Sequence, residues 1–345
     1  MIKRILKSNE FLVFLIIIAL SVVVGSINPQ FFTIASLFDL IRASNVYTLL
    51  AFALLPVVIL GGVDISFVAI AAVASYSTHM FLIARGYEGG LLLYFVMACA
   101  IGALAGLLNG VIVTSFKLPV FDVSLATQTM WYGFTLFFVG ATSNFDMPEG
   151  VVGYYSNFIT QVSDPNTGIT GLHVSIVYVV VIGLLLWLLL KYTLIGRAIY
   201  AIGGNREVAK RTGFNIKKVT LIVFVMMGFL SGFAGIVQSA LSRNFNPTLF
   251  IGQNLDVLAA VILGGAAIKG GRGTVIGTIL GVLLTQIIRR ALVLTQIPAE
   301  WQSLVVGLIL IVFASIPAIR ENRKKKLGLT TDLVEEESPE GKVEA

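Results

Sequence analysis

The chain has 345 residues, 57% of them hydrophobic and 12% charged. A soluble chain carries about 25% charged residues to cover its surface, so an ordinary water-soluble enzyme is excluded and a polytopic membrane protein is expected. The single cysteine, Cys99, has no partner within the chain for a disulfide or a thiolate metal site, and His79 and His173 lie far apart, so a histidine metal cluster is not expected. The net charge of +6 is a topology signal and carries no argument for nucleic acid.

Hydropathy predicts ten helices, at residues 11–27, 46–60, 65–84, 91–115, 120–140, 172–190, 219–241, 256–268, 274–294 and 301–319. The first follows Lys3, Arg4 and Lys7, but its apolar run exceeds a signal-peptide core and no Ala-x-Ala site follows, so it is read as a retained helix. The segment 256–268 is too short to cross a hydrocarbon core of about 30 Å unless it borrows flanking residues. The fold class is therefore an all-α transmembrane bundle of about ten helices, spanning 11–319 between a short N-terminal segment (1–10) and a polar tail (320–345). The pentapeptide Val58-Ile-Leu-Gly-Gly62 recurs at Val261-Ile-Leu-Gly-Gly265, but in so apolar a chain this does not establish a duplication.

Lys and Arg set the orientation. With ten crossings and the N-terminus inside, nineteen fall in cytoplasmic segments, and five (Arg42, Arg85, Arg243, Arg289, Arg290) fall outside or in the outer half of a helix. That asymmetry predicts both termini in the cytoplasm of a multi-pass inner-membrane protein. The stretch between Gly140 and Gly171 is polar without Lys or Arg and belongs outside. After Arg323-Lys-Lys-Lys the tail turns acidic and has too little apolar content to fold alone.

The cytoplasmic loop 191–218 carries a short helix with both ends marked. Asn205 suits the N-cap, Glu207 the first turn, Lys210 and Arg211 the last, and Gly213 the left-handed position beyond the end. A helix this short is marginal without packing, so it either receives a docking partner or lies on the lipid surface. Five glycines in Gly264-Gly-Ala-Ala-Ile-Lys-Gly-Gly-Arg-Gly-Thr274 resemble a phosphate loop, but Lys269 is followed by Gly-Gly, not by the Ser/Thr a Walker motif needs. The stretch is read as a tight turn at the membrane edge.

In Leu60-Gly-Gly-Val-Asp-Ile-Ser66, Asp64 either caps the following helix or serves in gating or ion coupling. Past Pro119, Asp122 sits at an interface or faces a cavity. Ser124 shares a helix face with Thr127 or Gln128, and Trp131 follows Thr127 by four. A polar stripe ending in an aromatic suits a carbohydrate path; helix-to-helix adhesion is the plainer account, and Asn109, between Gly106 and Gly110, admits the same two readings.

Four ordered motifs, over about residues 54–313, then carry a resemblance. They are Gly61-Gly62-Val-Asp64-Ile-Ser66; Gly106-Leu-Leu-Asn109-Gly110; Gly196-Arg197 through Ala201-Ile-Gly203-Gly204-Asn205 to Ala209 and Gly213; and Gly264-Gly265 through Gly270-Gly271-Arg272-Gly273-Thr274 to Gly277 and Gly281. Together they resemble the permease subunits of bacterial ATP-binding-cassette importers for monosaccharides, the ribose, xylose and galactose group that includes autoinducer-2 permeases. The resemblance implies that 205–213 is the coupling helix. It assigns Gly196, Arg197, Gly204, Asn205, Arg206, Glu207, Ala209 and Gly213 to contact with a cytoplasmic ATPase.

It further implies a non-catalytic chain without cofactor, fed by an extracytoplasmic sugar-binding protein and paired with a second permease copy or paralogue. Asn109, Ser124, Gln128 and Trp131 are the candidate substrate path, and Asp64 a gate or cap. The chain departs from the family pattern at Val120-Phe121-Asp122-Val123-Ser124-Leu125 and at Phe67-Val68-Ala69, which adjoin that path and bear on the choice of sugar. The competing class, an ion-coupled transporter, wants a buried acid near the middle of a span, and none of the ten segments has one.

Overall fold

A computed structural model describes residues 9–164 and 168–295, with Trp301, Leu304, Gly307, Leu308 and Ile311 beyond them. Apart from those five positions, the expected helix at 301–319 lies outside the described residues, as do the tail and the basic residues before position 9.

In chain order the elements are α1 (Asn9–Ile27), α2 (Ile34–Ile59), α3 (Phe67–Ala84), α4 (Leu91–Phe116), α5 (Val120–Phe134), the one-turn α6 (Glu149–Val152), strands β1 (Phe158–Asp164) and β2 (Gly168–His173), α7 (Ser175–Tyr192), α8 (Leu194–Gly204), α9 (Arg206–Arg211), α10 (Ile216–Ser242), α11 (Asn254–Leu263) and α12 (Val275–Leu294). Among the described residues seven helices, α1, α2, α3, α4, α7, α10 and α12, are long and apolar enough to cross a membrane. A π-turn, Thr135–Val139, extends α5. Large apolar side chains such as Leu92, Phe137 and Phe138 are left bare on the surface, as a chain surrounded by lipid allows.

Helix α2 runs through the centre; everything from Thr48 to Ile59 is buried. It begins twelve residues before the expected start at 46, because its polar residues find partners inside the protein. Ser44 Oγ donates to the Leu40 carbonyl at 2.7 Å, the Asn45 amide meets Ser175 Oγ at 2.8 Å, and Asp39 pairs with Arg290 at 3.7 Å. Read as hydropathy alone, these residues end the helix; hydrogen-bonded, they continue it.

Helices α4 and α10 pack backbone to backbone. A Cβ at Gly102 would overlap the Gly228 carbonyl, one at Gly106 the Phe224 carbonyl, and one at Gly232 the Ala98 carbonyl. Where lipid is as apolar as leucine, such backbone-to-backbone approach over small residues supplies the dispersion contact that associates helices.

One end of the bundle carries α8 and α9 with the turns at 60–66 and 264–274, where Gly271 N donates to the Ile59 carbonyl at 2.8 Å. The start of α1 is at this end too, through Thr274 Oγ1 and Glu10 at 2.8 Å. At the opposite end Arg42 and Arg243 both lie 4.2 Å from the ring centroid of Tyr155, and β1 and β2 form an antiparallel hairpin.

That hairpin displaces the expected start of the sixth helix, residue 172, to Ser175. Its β-branched residues Ile159, Thr160, Val162, Ile169 and Thr170 suit a pleated surface. His173 anchors it: the Ser175 backbone N–H donates to Nδ1 at 3.0 Å, which makes Nδ1 an acceptor and leaves Nε2–H to donate to the Tyr154 carbonyl at 2.8 Å. Burial pushes the His173 pKa down and favours this neutral tautomer.

Helix α11 has ten residues, about 15 Å of axis, half of a hydrocarbon core. It replaces the expected 256–268, stopping at Gly264 before Gly265 turns the chain at φ +96°. The chain reaches it through irregular backbone in which Asn144 and Phe245 exchange two hydrogen bonds, of 2.9 and 3.0 Å.

Candidate functional site

The loop 191–218 contains two helices where one was expected. Thr193 caps α8 by accepting from Gly196 N at 3.0 Å; Asn205 caps α9 by accepting from Glu207 N and Val208 N at 3.0 and 3.1 Å. The far end of α9 closes as a Schellman motif: Phe214 N donates to the Ala209 carbonyl and Gly213 N to that of Lys210, both at 3.1 Å, with Gly213 at φ +90°. Ala209 is buried, and Arg206, Glu207, Val208, Lys210 and Arg211 are exposed. Arg197 is exposed on α8, whereas Gly196 is packed against the Leu189 and Leu190 carbonyls, where a Cβ would collide.

What seats α8 is a convergence of three glycine turns. A Cβ at Gly203 would overlap the Ile59 carbonyl; one at Gly270 would lie 2.8 Å from both the Gly203 oxygen and Gly61 Cα; one at Gly271 would lie 2.9 Å from Gly204 Cα. Gly61, Gly270 and Gly271 also take φ of +89°, +88° and +74°, a region that side chains disfavour. Tyr200 OH completes the seat by donating to the Gly273 carbonyl at 2.7 Å. The α8–α9 unit is thus keyed to the end of α2 and to the turn between α11 and α12.

Asp64 lies in the turn before α3, fully buried. Its Oδ1 accepts from Ser66 N at 2.6 Å and Ser66 Oγ at 2.7 Å, and Asn109 Nδ2 donates to the same Ser66 hydroxyl at 2.8 Å. Ser124 Oγ accepts from Ile65 N at 3.2 Å and donates to the Phe121 carbonyl at 2.9 Å. Asp64, Asn109 and Ser124 therefore share one buried network joining α3, α4 and α5, in which Asp64 Oδ2 and Asn109 Oδ1 have no partner among the described residues. Burial pushes the Asp64 carboxyl up to about 6, against the opposing donors Ser66 and Phe67.

Gln128 and Trp131 stand apart from that network. Gln128 Oε1 accepts from Asn254 Nδ2 at 3.4 Å, across to α11, and Trp131 packs edge-on to Phe134 with centroids 6.3 Å apart. Asp122 is exposed in the first turn of α5, where the helix dipole favours a carboxylate.

The sequence reading missed a second polar cluster. Asp256 is ion-paired with Arg289, whose guanidinium carbon lies 5.9 Å from the ring centroid of Tyr47. Its signal was the pair Arg289-Arg290 inside an apolar run, an expensive placement that implies acidic partners. Among the described residues no three His, Cys, Asp or Glu side chains come together as a metal site.

A family model described as "Branched-chain amino acid transport system / permease component" matches residues 36–314. Curated relatives match along nearly their whole length. The ribose import permease protein of Haemophilus influenzae is 30% identical over 90% of this chain and 92% of its own. That of Bacillus subtilis is 31% identical over 90% and 92%, and the autoinducer 2 import system permease protein of an Enterobacter strain is 29% identical over 90% and 86%. No solved structure matches. With its membrane-spanning bundle and its glycine-keyed loop helices falling inside the matched region, the chain belongs to this family of multi-pass transport permeases.

Proposed function

We propose that this chain forms the translocation path of an ATP-binding-cassette importer for a monosaccharide, a pentose, a hexose or an autoinducer-2-like sugar. The observation that carries this is α9: a six-residue helix capped at both ends, five of its six side chains exposed, following directly on the glycine-seated α8. A helix built to be presented and not buried fits a groove on a partner. The chain carries no Walker motif, so the energy for transport is supplied by that partner, a cytoplasmic ATPase. Closure of the ATPase would push α8–α9 as one piece and reach α2 and the α11–α12 turn through the glycine contacts.

On this reading the α8–α9 end faces the cytoplasm, as the concentration of Lys and Arg there supports, and so do both termini. The hairpin end receives an extracytoplasmic sugar-binding protein, and a second permease subunit completes the path. The sugar class is supported by the relatives, which are named as ribose and autoinducer 2 import permeases.

The test is uptake of labelled pentoses and hexoses into inside-facing-in vesicles carrying the chain with its ATPase and binding protein. ATP-dependent, vanadate-sensitive uptake is expected. Vanadate-insensitive uptake abolished by an ionophore would establish the ion-coupled alternative in its place.

A further inference from the structure

The cluster around the start of α11 has no place in the reading so far. Tyr47 lies about 18 Å along α2 from its end at Ile59, and Arg289 about 21 Å along α12 from Val275, at 1.5 Å per residue. Both are therefore well inside a hydrocarbon core of about 30 Å. Because α11 spans only half that distance, its first turn also falls inside the bundle. Asn254 reaches Gln128 on α5, and Asp256 reaches Arg289 on α12.

Two features separate this cluster from a structural staple. First, the ion pair is not sealed: the Arg289 and Asp256 side chains keep 31% and 21% exposure. Leu255, next to Asp256 in the chain, is bare. A partly exposed ion pair at this depth is costly against lipid and tolerable against a water-filled path. Second, α11 and α12 do not need the pair to stay together. A Cβ at Gly264 would overlap the Gly277 carbonyl and one at Gly281 the Ala260 carbonyl, so the two backbones are already in close contact.

Chemically, the cluster offers what a sugar needs. A carboxylate accepts from hydroxyls, a guanidinium donates to them, a phenol ring covers a C–H face, and an amide pair does both kinds of hydrogen bonding. Arg289 Nε has no partner among the described residues.

We propose that Asp256 and Arg289, with Tyr47 beside them and the Asn254–Gln128 pair on the other side of the α11 start, form a hydroxyl-recognition site part-way through the membrane. The site rests on the importer reading above and names where the transported sugar is handled.

The experiment uses the assembled importer in vesicles, with tritiated D-ribose and its 2-deoxy and 3-deoxy analogues. Asp256→Asn and Arg289→Lys should lower uptake about 10-fold or more, with the ATPase still co-purifying. In Asp256→Asn the preference for ribose over at least one deoxy analogue should also shrink. The binding protein is the same in each assay, so its own preference cancels from that ratio.

Uptake and preference within twofold of wild type in both variants would overturn the site while leaving the importer reading intact. So would full recovery of uptake in the charge-swapped Asp256→Arg/Arg289→Asp double variant, which restores a staple but not the arrangement of donor and acceptor. A wild-type importer that moves neither pentoses nor hexoses would remove the sugar reading and this site with it.

Discussion

Gly203 and Ile59, 144 positions apart in the chain, meet backbone to backbone: a single methyl group at residue 203 would occupy the space of the Ile59 carbonyl oxygen. That oxygen also accepts from Gly271 N at 2.8 Å. One carbonyl at the end of the central helix thus holds both the α8–α9 unit and the turn before α12. Any displacement of α8 is felt at both places at once, because close-packed backbone has no slack to absorb it.

Gly203→Ala is therefore expected to unseat α8 without disturbing α9, whose caps, Asn205 and Gly213, are local. The ATPase should still co-purify with the variant, while ATP-driven uptake falls at least about 10-fold, a change equivalent to roughly 1.4 kcal/mol. Arg206→Glu, which alters only the exposed face, should do the reverse and lose co-purification first. Equal ATPase binding and equal uptake in Gly203→Ala and wild type would show that the glycine contact transmits nothing.

Asp64 gives a pH signature. Its folded-state pKa is raised to about 6 from 3.8, mainly by burial. A raised pKa means the folded state holds the proton more tightly, so this contribution to stability is fully present below about pH 4 and is lost as pH rises through about 6. The full span is at most about 3 kcal/mol. Asp64→Asn, which keeps the shape and removes the charge, should narrow the difference in thermal stability between pH 7 and pH 5 relative to wild type. If both proteins change by the same amount across that interval, Asp64 is not the group responsible.

Much of this was legible in the sequence, and the reason differs from place to place. The Asn205 cap and the Gly213 stop could be read because capping is local chemistry acting over three or four residues. The glycine motifs announced close approach, but not to what: Gly61, Gly203 and Gly270 are brought together only by the topology. Hydropathy misplaced the start of α2, because the partners of Asp39 and Asn45 lie in α12 and α7. The β-hairpin was hidden in a stretch read only for its lack of Lys and Arg. The Asp256–Arg289 pair is not legible there because hydropathy puts Asp256 at the first residue of a span, at its edge, whereas the halved α11 begins inside the bundle.

The four residues Asn109, Ser124, Gln128 and Trp131 are the candidate path on sequence grounds, and the structure divides them. Asn109 and Ser124 are sealed, at 0% and 1% exposure, by hydrogen bonds to Ser66 and Ile65. Gln128 and Trp131 are partly open, and Gln128 faces the start of α11. Single cysteines at these positions, in a chain whose own Cys99 is buried and replaced by alanine, should therefore react unequally with a small charged thiol reagent. Positions 128 and 131 are expected to label, faster in one nucleotide state of the ATPase than in another as the path opens and closes. Positions 109 and 124 are expected to stay protected in every state, since exposing them requires parting α3 from α4 and α5. Labelling at 109 or 124 that depends on ATP would mean the Asp64 network opens during transport, and would move the path from the α5–α11 side of the bundle to the α3–α4 side.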